Sequence, residues 1–273
     1  MTKKGIIISS IILSVVILAS ILFGAVFCLR KQTVKVVDGS TLSVKATQII
    51  ETANLKKGKS IFMLDKNKAI KNIEAKYPHI KVVQIKTTSI TSIEICVRAR
   101  HEMYYTQANE KYYIFDEELK VLEIIDEISS ESEPTHLTKI AESDLKISES
   151  TKICDFVGTE EQRKITDGLF TAMYTSVTKP EEANATYLTR TDICDINKEI
   201  EFEEFESFNK IIITTKYGVK LDIENPTNNI ETKINICFST IKHFMTEQNN
   251  KEKSGTIKIY SNLNGELVSV YIP

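Results

Sequence analysis

Four histidines (His79, His101, His136 and His243) and five cysteines (Cys28, Cys96, Cys154, Cys194 and Cys237) are the side chains best suited to bind a metal or attack a substrate. A zinc site gathers three or four such ligands, often as C-x-x-C pairs or as histidines one helical turn apart. Here the histidines are scattered and no C-x-x-C occurs, so neither a zinc site nor a redox motif is expected. The wide, odd-numbered cysteines read as small buried hydrophobes, with a disulfide among the last four still open. Acid–base chemistry would need paired carboxylates. The densest acidic stretch, Glu199–Glu206, reads instead as a solvated face in which Glu201, Glu203, Glu204 and Glu206 surround Phe202 and Phe205. There is no G-x-S-x-G, Walker or G-x-G-x-x-G sequence. Asn184-Ala-Thr186 is a nominal glycosylation sequon of a kind that arises by chance. The expectation is no catalytic residue, no metal, no cofactor and no small-molecule substrate.

Composition narrows the classes further. The chain has 273 residues, 42% hydrophobic and 26% charged, with a net charge of -2. That suits a globular chain of one or two domains and gives no basic field for nucleic acid. Between Gly5 and Leu29 there is no charged residue. As a helix this run reaches roughly 37 Å, enough to cross a hydrocarbon core of about 30 Å. It is too long for a signal-peptide core, and Phe27 and Leu29 stand where a cleavage site needs small residues. Phe27 before Cys28 also argues against a lipoprotein signal. A retained anchor is expected. Lys3 and Lys4 before it and Arg30, Lys31 and Lys35 after it leave orientation undecided by charge, and the very short tail favours an inside N-terminus.

Beyond the run, residues 33–40 alternate and end in Asp38-Gly39, a short strand closed by a turn. A helix is expected over Val44–Leu55, capped by Ser43 and stopped by Gly58, with Val44, Ile49 and Ala53 on its apolar side. Ile61–Leu64 connects to a second helix, capped by Asp65, bearing Ala69, Ile70 and Ile73, and ended at Tyr77 by Pro78. Ile80, Val82 and Ile85 mark one strand and Ile93, Ile95 and Val97 the next. This gives β-α-α-β-β over about residues 33–102. Strands are then expected at Lys111–Asp116, Val121–Ile125, Tyr187–Ile196, Ile211–Thr215, Val219–Ile223, Thr256–Tyr260 and Leu267–Ile272, with helices at 160–177 and Lys233–Phe244. Turns are marked by Tyr217-Gly218 and Asn264-Gly265. The fold class is α+β.

This order resembles the bacterial division family FtsQ/DivIB. The resemblance rests on Val34–Gly39, Leu55–Asp65, Tyr77–Val83, Ile93–Arg100, Tyr113–Asp116, Lys233-Ile234 and Gly255–Tyr260. It departs at Thr88-Ser89-Ile90 and at His101-Glu102, where the family usually has proline, and at Asp116–Lys120, where its Asp-x-Gly turn has lost the glycine. The chain is thus similar to a divergent member.

The resemblance implies a cytoplasmic tail (1–5), a transmembrane helix (6–29), a POTRA domain (33–102) and a β domain (103–273), the last two extracytoplasmic and at the division septum. It implies a non-enzymatic, single-pass scaffold that regulates septal peptidoglycan synthesis. Partners would be FtsB/DivIC-like and FtsL-like membrane proteins, held through the end of the β domain. Carried over by position, Tyr260, Asn262, Val268, Val270 and Tyr271 are the expected partner-binding residues. Two other classes compete: a membrane-anchored cell-wall enzyme, and a POTRA-containing secretion or assembly component. The second class repeats POTRA units and continues into a long barrel, which this pattern of strands does not supply.

Overall fold

The computed structural model describes residues 13–15, 26–37, 39, 41–126, 137–178, 197–204, 209–215, 218–247, 255–262 and 264–273. They form two compact units that meet in sequence at Arg100 and His101. Most of the uncharged run, and the strand expected at Tyr187–Ile196, lie outside the described residues. Among the described residues no helix is long and apolar enough to cross a membrane.

The first unit has the expected β-α-α-β-β order: β1 (Lys31–Val36), α1 (Ala46–Ala53), α2 (Lys66–Lys76), β2 (Ile80–Ser89) and β3 (Ser92–Ala99). β3 lies in the middle, parallel to β1 and antiparallel to β2. Its alternation puts Ile93, Ile95 and Val97 in a core shared with Ile49, Ala53, Ala69 and Ile73 from the helices. Leu29, the last residue of the uncharged run, also contributes its side chain to this core.

The helix ends differ in part from the sequence expectation. Asp65 caps α2 by accepting from the Lys68 amide (2.9 Å), as the pattern requires. α1 begins after Lys45 rather than Ser43, with the Gln48 side chain accepting from the Lys45 amide (3.1 Å). It ends at Asn54, which takes the left-handed conformation (φ 51) expected of Gly58. Gly58 is also left-handed (φ 84) but turns the next loop, where its amide donates to the Leu29 carbonyl (2.8 Å).

A buried ion pair ties the end of this unit together. Arg100 Nη2 lies 3.1 Å from Glu74 Oε2. Glu74 Oε1 accepts from the Val82 amide (2.9 Å), beside an extra residue in β2 that shifts its register against β3. One α2 carboxylate thus holds both the bulge and the last arginine of the unit.

The second unit is built on a mixed sheet of nine described strands: β4 (Tyr104–Ala108), β5 (Lys111–Phe115), β6 (Val121–Ile125), β7 (Thr138–Ile140), β8 (Asn197–Glu204), β9 (Asn209–Thr215), β10 (Val219–Glu224), β11 (Gly255–Ser261) and β12 (Leu267–Ile272). Their spatial order is β12-β11-β10-β9-β8-β7-β4-β5-β6. A short helix, α3 (Glu142–Leu145), precedes α4 (Glu160–Thr178), and α5 (Ile230–Glu247) joins β10 to β11. Ile165 and Leu169 of α4 and Ile234 and Cys237 of α5 share a core with the inward residues Ile200, Ile211, Ile213, Leu221, Ile223, Ile257 and Ile259. β4, β7 and β8 were not expected. The acidic stretch read as a solvated face is β8 itself, with Ile200 turned inward and Glu199, Glu201 and Glu203 turned out.

Lys233, near the start of α5, donates to the carbonyls of Glu224 (2.8 Å) and Asn225 (2.9 Å) and so closes the β10–α5 connection. No disulfide joins the cysteines among the described residues, Cys28, Cys96, Cys154 and Cys237. Burial pushes the Cys237 thiol up to about 12.

Two outcomes follow. Arg100→Ala removes the buried guanidinium from the half-buried Glu74 carboxylate and lowers unfolding free energy by about 3 kcal/mol in denaturant titrations, and the pair Glu74→Gln with Arg100→Met recovers part of that loss. For Cys237 the folded state keeps a proton that the unfolded thiol, near a pKa of about 8.5, gives up. Its contribution is complete below that value and is lost as pH rises toward 12. Denaturation series between pH 8 and 11 show a shallower alkaline fall for Cys237→Val than for the unaltered chain.

Candidate functional site

Among the described residues, the candidate metal ligands do not build a site around a histidine or cysteine. His79 is exposed and His101 half-buried, His136 lies outside the described residues, and the side chain of His243 is likewise not described. The carboxylates of Asp116, Glu117 and Glu118 do come within 4.8 Å of one another. Asp116 Oδ1 already accepts from the amides of Glu118 and Lys120, each at 2.9 Å, and thereby shapes the turn between β5 and β6. Leu119 takes the left-handed position of that turn (φ 55) with its side chain fully buried in the core. Burial of an apolar side chain offsets the cost of a conformation that glycine would adopt freely.

The distinctive surface lies at the other end of the sheet. Because α4 and α5 cover one face, each strand turns alternate residues toward them and the rest outward. On the outward face of the middle strands, paired charges stand around the half-buried Ile212. Lys139 lies 3.2 Å from Glu199, Lys210 lies 2.8 Å from Glu203 and 3.6 Å from Asp222, and Lys258 lies 3.1 Å from Glu224. Glu203 raises the Lys210 pKa above its ordinary value, mainly by accepting its hydrogen bond.

β12 ends this pattern. It pairs with β11, and among the described residues no strand pairs its other side. Its sequence, Leu-Val-Ser-Val-Tyr-Ile, holds no charge. Proteins commonly blunt an edge strand with lysine, proline or a bulge. The opposite edge shows such protection: the Val121 amide donates to the Asp155 carbonyl, and the Cys154 amide donates to the Val121 carbonyl, both at 2.8 Å. The chain's own 154–156 loop thus covers the start of β6.

Register assigns each expected residue a position. Val268 lies opposite Tyr260, and Val270 opposite Lys258. Tyr260, Val268 and Val270 therefore belong to the outward face, with Val270 39% exposed. Ile272 shares that face, is 49% exposed, and was not among the expected contact residues although it continues the same alternation. Tyr271 belongs to the other face. It lies opposite the buried Ile257 and packs against the core. A methyl group at Gly255 would fall 2.5 Å from the Tyr271 hydroxyl oxygen and 2.6 Å from a ring carbon, so the glycine makes the space the ring occupies. Asn262 works within its own turn. Its Oδ1 accepts from the amides of Asn264 (3.0 Å) and Glu266 (2.9 Å), and its Nδ2 donates to Glu266 (2.9 Å). With Gly265 at φ 80, this fixes how β12 returns along β11.

Comparison with known proteins bears on the first unit. Residues 32–100 match the POTRA domain of FtsQ type. The cell division protein DivIB of Clostridium acetobutylicum is 39% identical over 93 residues, which are 34% of this chain and 36% of that one. DivIB of Clostridium tetani is 32% identical over 116 residues, 42% of this chain and 43% of that one. Residues 32–100 are thus a POTRA domain of FtsQ type, in a chain similar to these DivIB proteins. The matched stretch spans less than half the length of these DivIB relatives. The solved major extracytoplasmic domain of DivIB from Geobacillus stearothermophilus aligns with 55% of this chain and 97% of that one, at 9% identity and a TM-score of 0.29, too slight a likeness to bear on the fold. In this chain an FtsQ-type POTRA domain precedes a large mixed sheet, an α+β arrangement.

The contact between Tyr271 and Gly255 can be tested directly. Gly255→Ala costs about 1–3 kcal/mol in unfolding measurements, because the new methyl overlaps the ring. In a Tyr271→Ala background the same change costs much less, and the double-mutant cycle reports the coupling.

Proposed function

We propose that this protein is a non-catalytic, membrane-anchored scaffold of the division machinery that takes up a strand from a partner along β12. In this reading residues 1–5 are a cytoplasmic tail and the membrane helix lies within 6–29. The POTRA domain (33–102) and the β domain (103–273) are extracytoplasmic, at the septum. The partners are FtsB/DivIC-like and FtsL-like membrane proteins, and their assembly helps regulate septal peptidoglycan synthesis. The observation that carries it is an uncharged edge strand beside strands whose outward face bears a cluster of paired charges.

Magnitudes say how such docking would work. Three of the six residues turn both N–H and C=O to the open side, so about six backbone hydrogen bonds can form, each worth roughly 1 kcal/mol net, against an association cost of about 4–15 kcal/mol. That is too little for a durable complex. Covering the exposed parts of Val270 (39%) and Ile272 (49%) adds roughly 0.6–1.5 kcal/mol each and tips the balance. Side chains on the outward face therefore decide affinity and register, while the backbone sets direction. Tyr260, Val268 and Val270 contact the partner in this reading. Asn262 acts by fixing the turn, and Tyr271 by holding β12 against β11.

The test is a photo-crosslinking residue at Val270 of the full chain in dividing cells. It is expected to capture a small coiled-coil membrane protein. Truncation before Glu266 should abolish that partner's binding while leaving the POTRA domain folded. Undiminished binding by the truncated chain would defeat the edge-strand reading. Without the crosslinker, Val270→Lys should weaken that partner's binding at least tenfold, since it sets a charge on the surface to be buried.

A further inference from the structure

The end of the first unit nearest the uncharged run carries apolar side chains that its core does not use. Phe62 is 71% exposed, Met63 79% and Ile90 55%. They stand on two loops: a 3-10 turn (Ile61–Met63) and the β2–β3 turn. Both loops are hydrogen-bonded to the segment that leaves the run. Leu29 donates to the Lys59 carbonyl (2.8 Å), Ile61 donates to the Phe27 carbonyl (2.9 Å), and Arg30 donates to the Thr91 carbonyl (2.8 Å). The ring centroids of Phe27 and Phe62 are 5.6 Å apart. Whatever level the end of the run occupies, these tips occupy it too.

Basic side chains accompany them. Lys56, Lys59 and Lys68 are exposed and line, with Met63, a cleft of about 370 Å³ between the end of α1 and the start of α2. Its acidic lining residue, Asp65, is engaged in capping the Lys68 amide. Aromatic and long apolar groups beside lysines suit the headgroup level of a bilayer, where the rings and stems are covered and the ammonium groups meet phosphate.

We propose that this end of the POTRA domain is seated on the lipid surface, with Phe62, Met63 and Ile90 inserted at headgroup level and Lys56, Lys59 and Lys68 against anionic phospholipid. The proposal rests on the reading of 6–29 as a membrane helix and adds a second, peripheral attachment to it. It fixes the orientation of the domain rather than leaving it on a swivel.

The chain has no tryptophan, so single reporters are clean. Full-length Phe62→Trp and Val37→Trp chains are reconstituted into vesicles of phosphatidylcholine, with or without phosphatidylglycerol, containing brominated acyl chains as quencher. Val37 follows β1 and lies roughly 20 Å along the strand direction from Lys31. The Phe62→Trp reporter is expected to emit further to the blue and to be quenched several-fold more than Val37→Trp. Adding Lys56→Glu, Lys59→Glu and Lys68→Glu should reduce that quenching in phosphatidylglycerol vesicles. Equal quenching of the two reporters, in chains that float with the vesicles, overturns the seating and leaves the anchor standing. Failure to float overturns the anchor and the seating together. Quenching unmoved by the three lysine changes overturns the anionic contact.

Discussion

The large sheet is covered by helices on one face, and most of the second unit's surface chemistry follows from that constraint. A strand has a side-chain period of two, so choosing an inner face assigns every residue of every strand. Ile211, Ile213, Leu221, Ile223, Ile257 and Ile259 go to the core. Lys210, Asp222, Glu224 and Lys258 must then face outward, where they pair with one another. Partly exposed pairs of this kind contribute little to stability, of order 0–1 kcal/mol each. Their stronger effect is to make the face unattractive to other polypeptides. The charges give out at β12, whose outward residues Val268, Val270 and Ile272 are apolar.

Seen this way, the neighbours of β12 have a shared task. Gly255 gives room for the Tyr271 ring, and Asn262 closes the turn that leads into the strand. Both side chains act within the chain to place Val268, Val270 and Ile272 on the outward face. A residue can thus matter for docking without lying on the docking surface. In the docking proposed above the two roles separate by register, which resemblance by position does not report.

Much of the first unit was legible because its signals are local. The Asp65 cap, the Pro78 stop and the alternation of Ile93, Ile95 and Val97 each depend on a few adjacent residues. The start of α1 was misplaced because Ser43 is a better capping residue than Lys45 on intrinsic preference, yet burial of Ile49 and Ala53 sets the helix position. In the second unit β7 has three residues, too few for a pattern to declare itself. β8 was hidden by its glutamates, whose charge reads as solvation although Ile200 between them is buried. β4 was missed because both its faces are largely covered, so Tyr104, Tyr105 and Thr106 do not alternate. The edge position of β12 depends on which strands pair, a long-range property absent from any window of sequence.

The parallel pairing of β1 with β3 bears on mechanics. The chain enters the POTRA domain at the start of β1 and leaves it at the end of β3, and parallel neighbours put those points at opposite ends of one ladder. Tension between Lys31 and Arg100 therefore loads the six residue pairs in shear, so they resist together instead of unzipping in turn. At the exit, the clasp of Arg100 onto Glu74 spreads the load into α2. The small domain is built as a stiff link in a line of force.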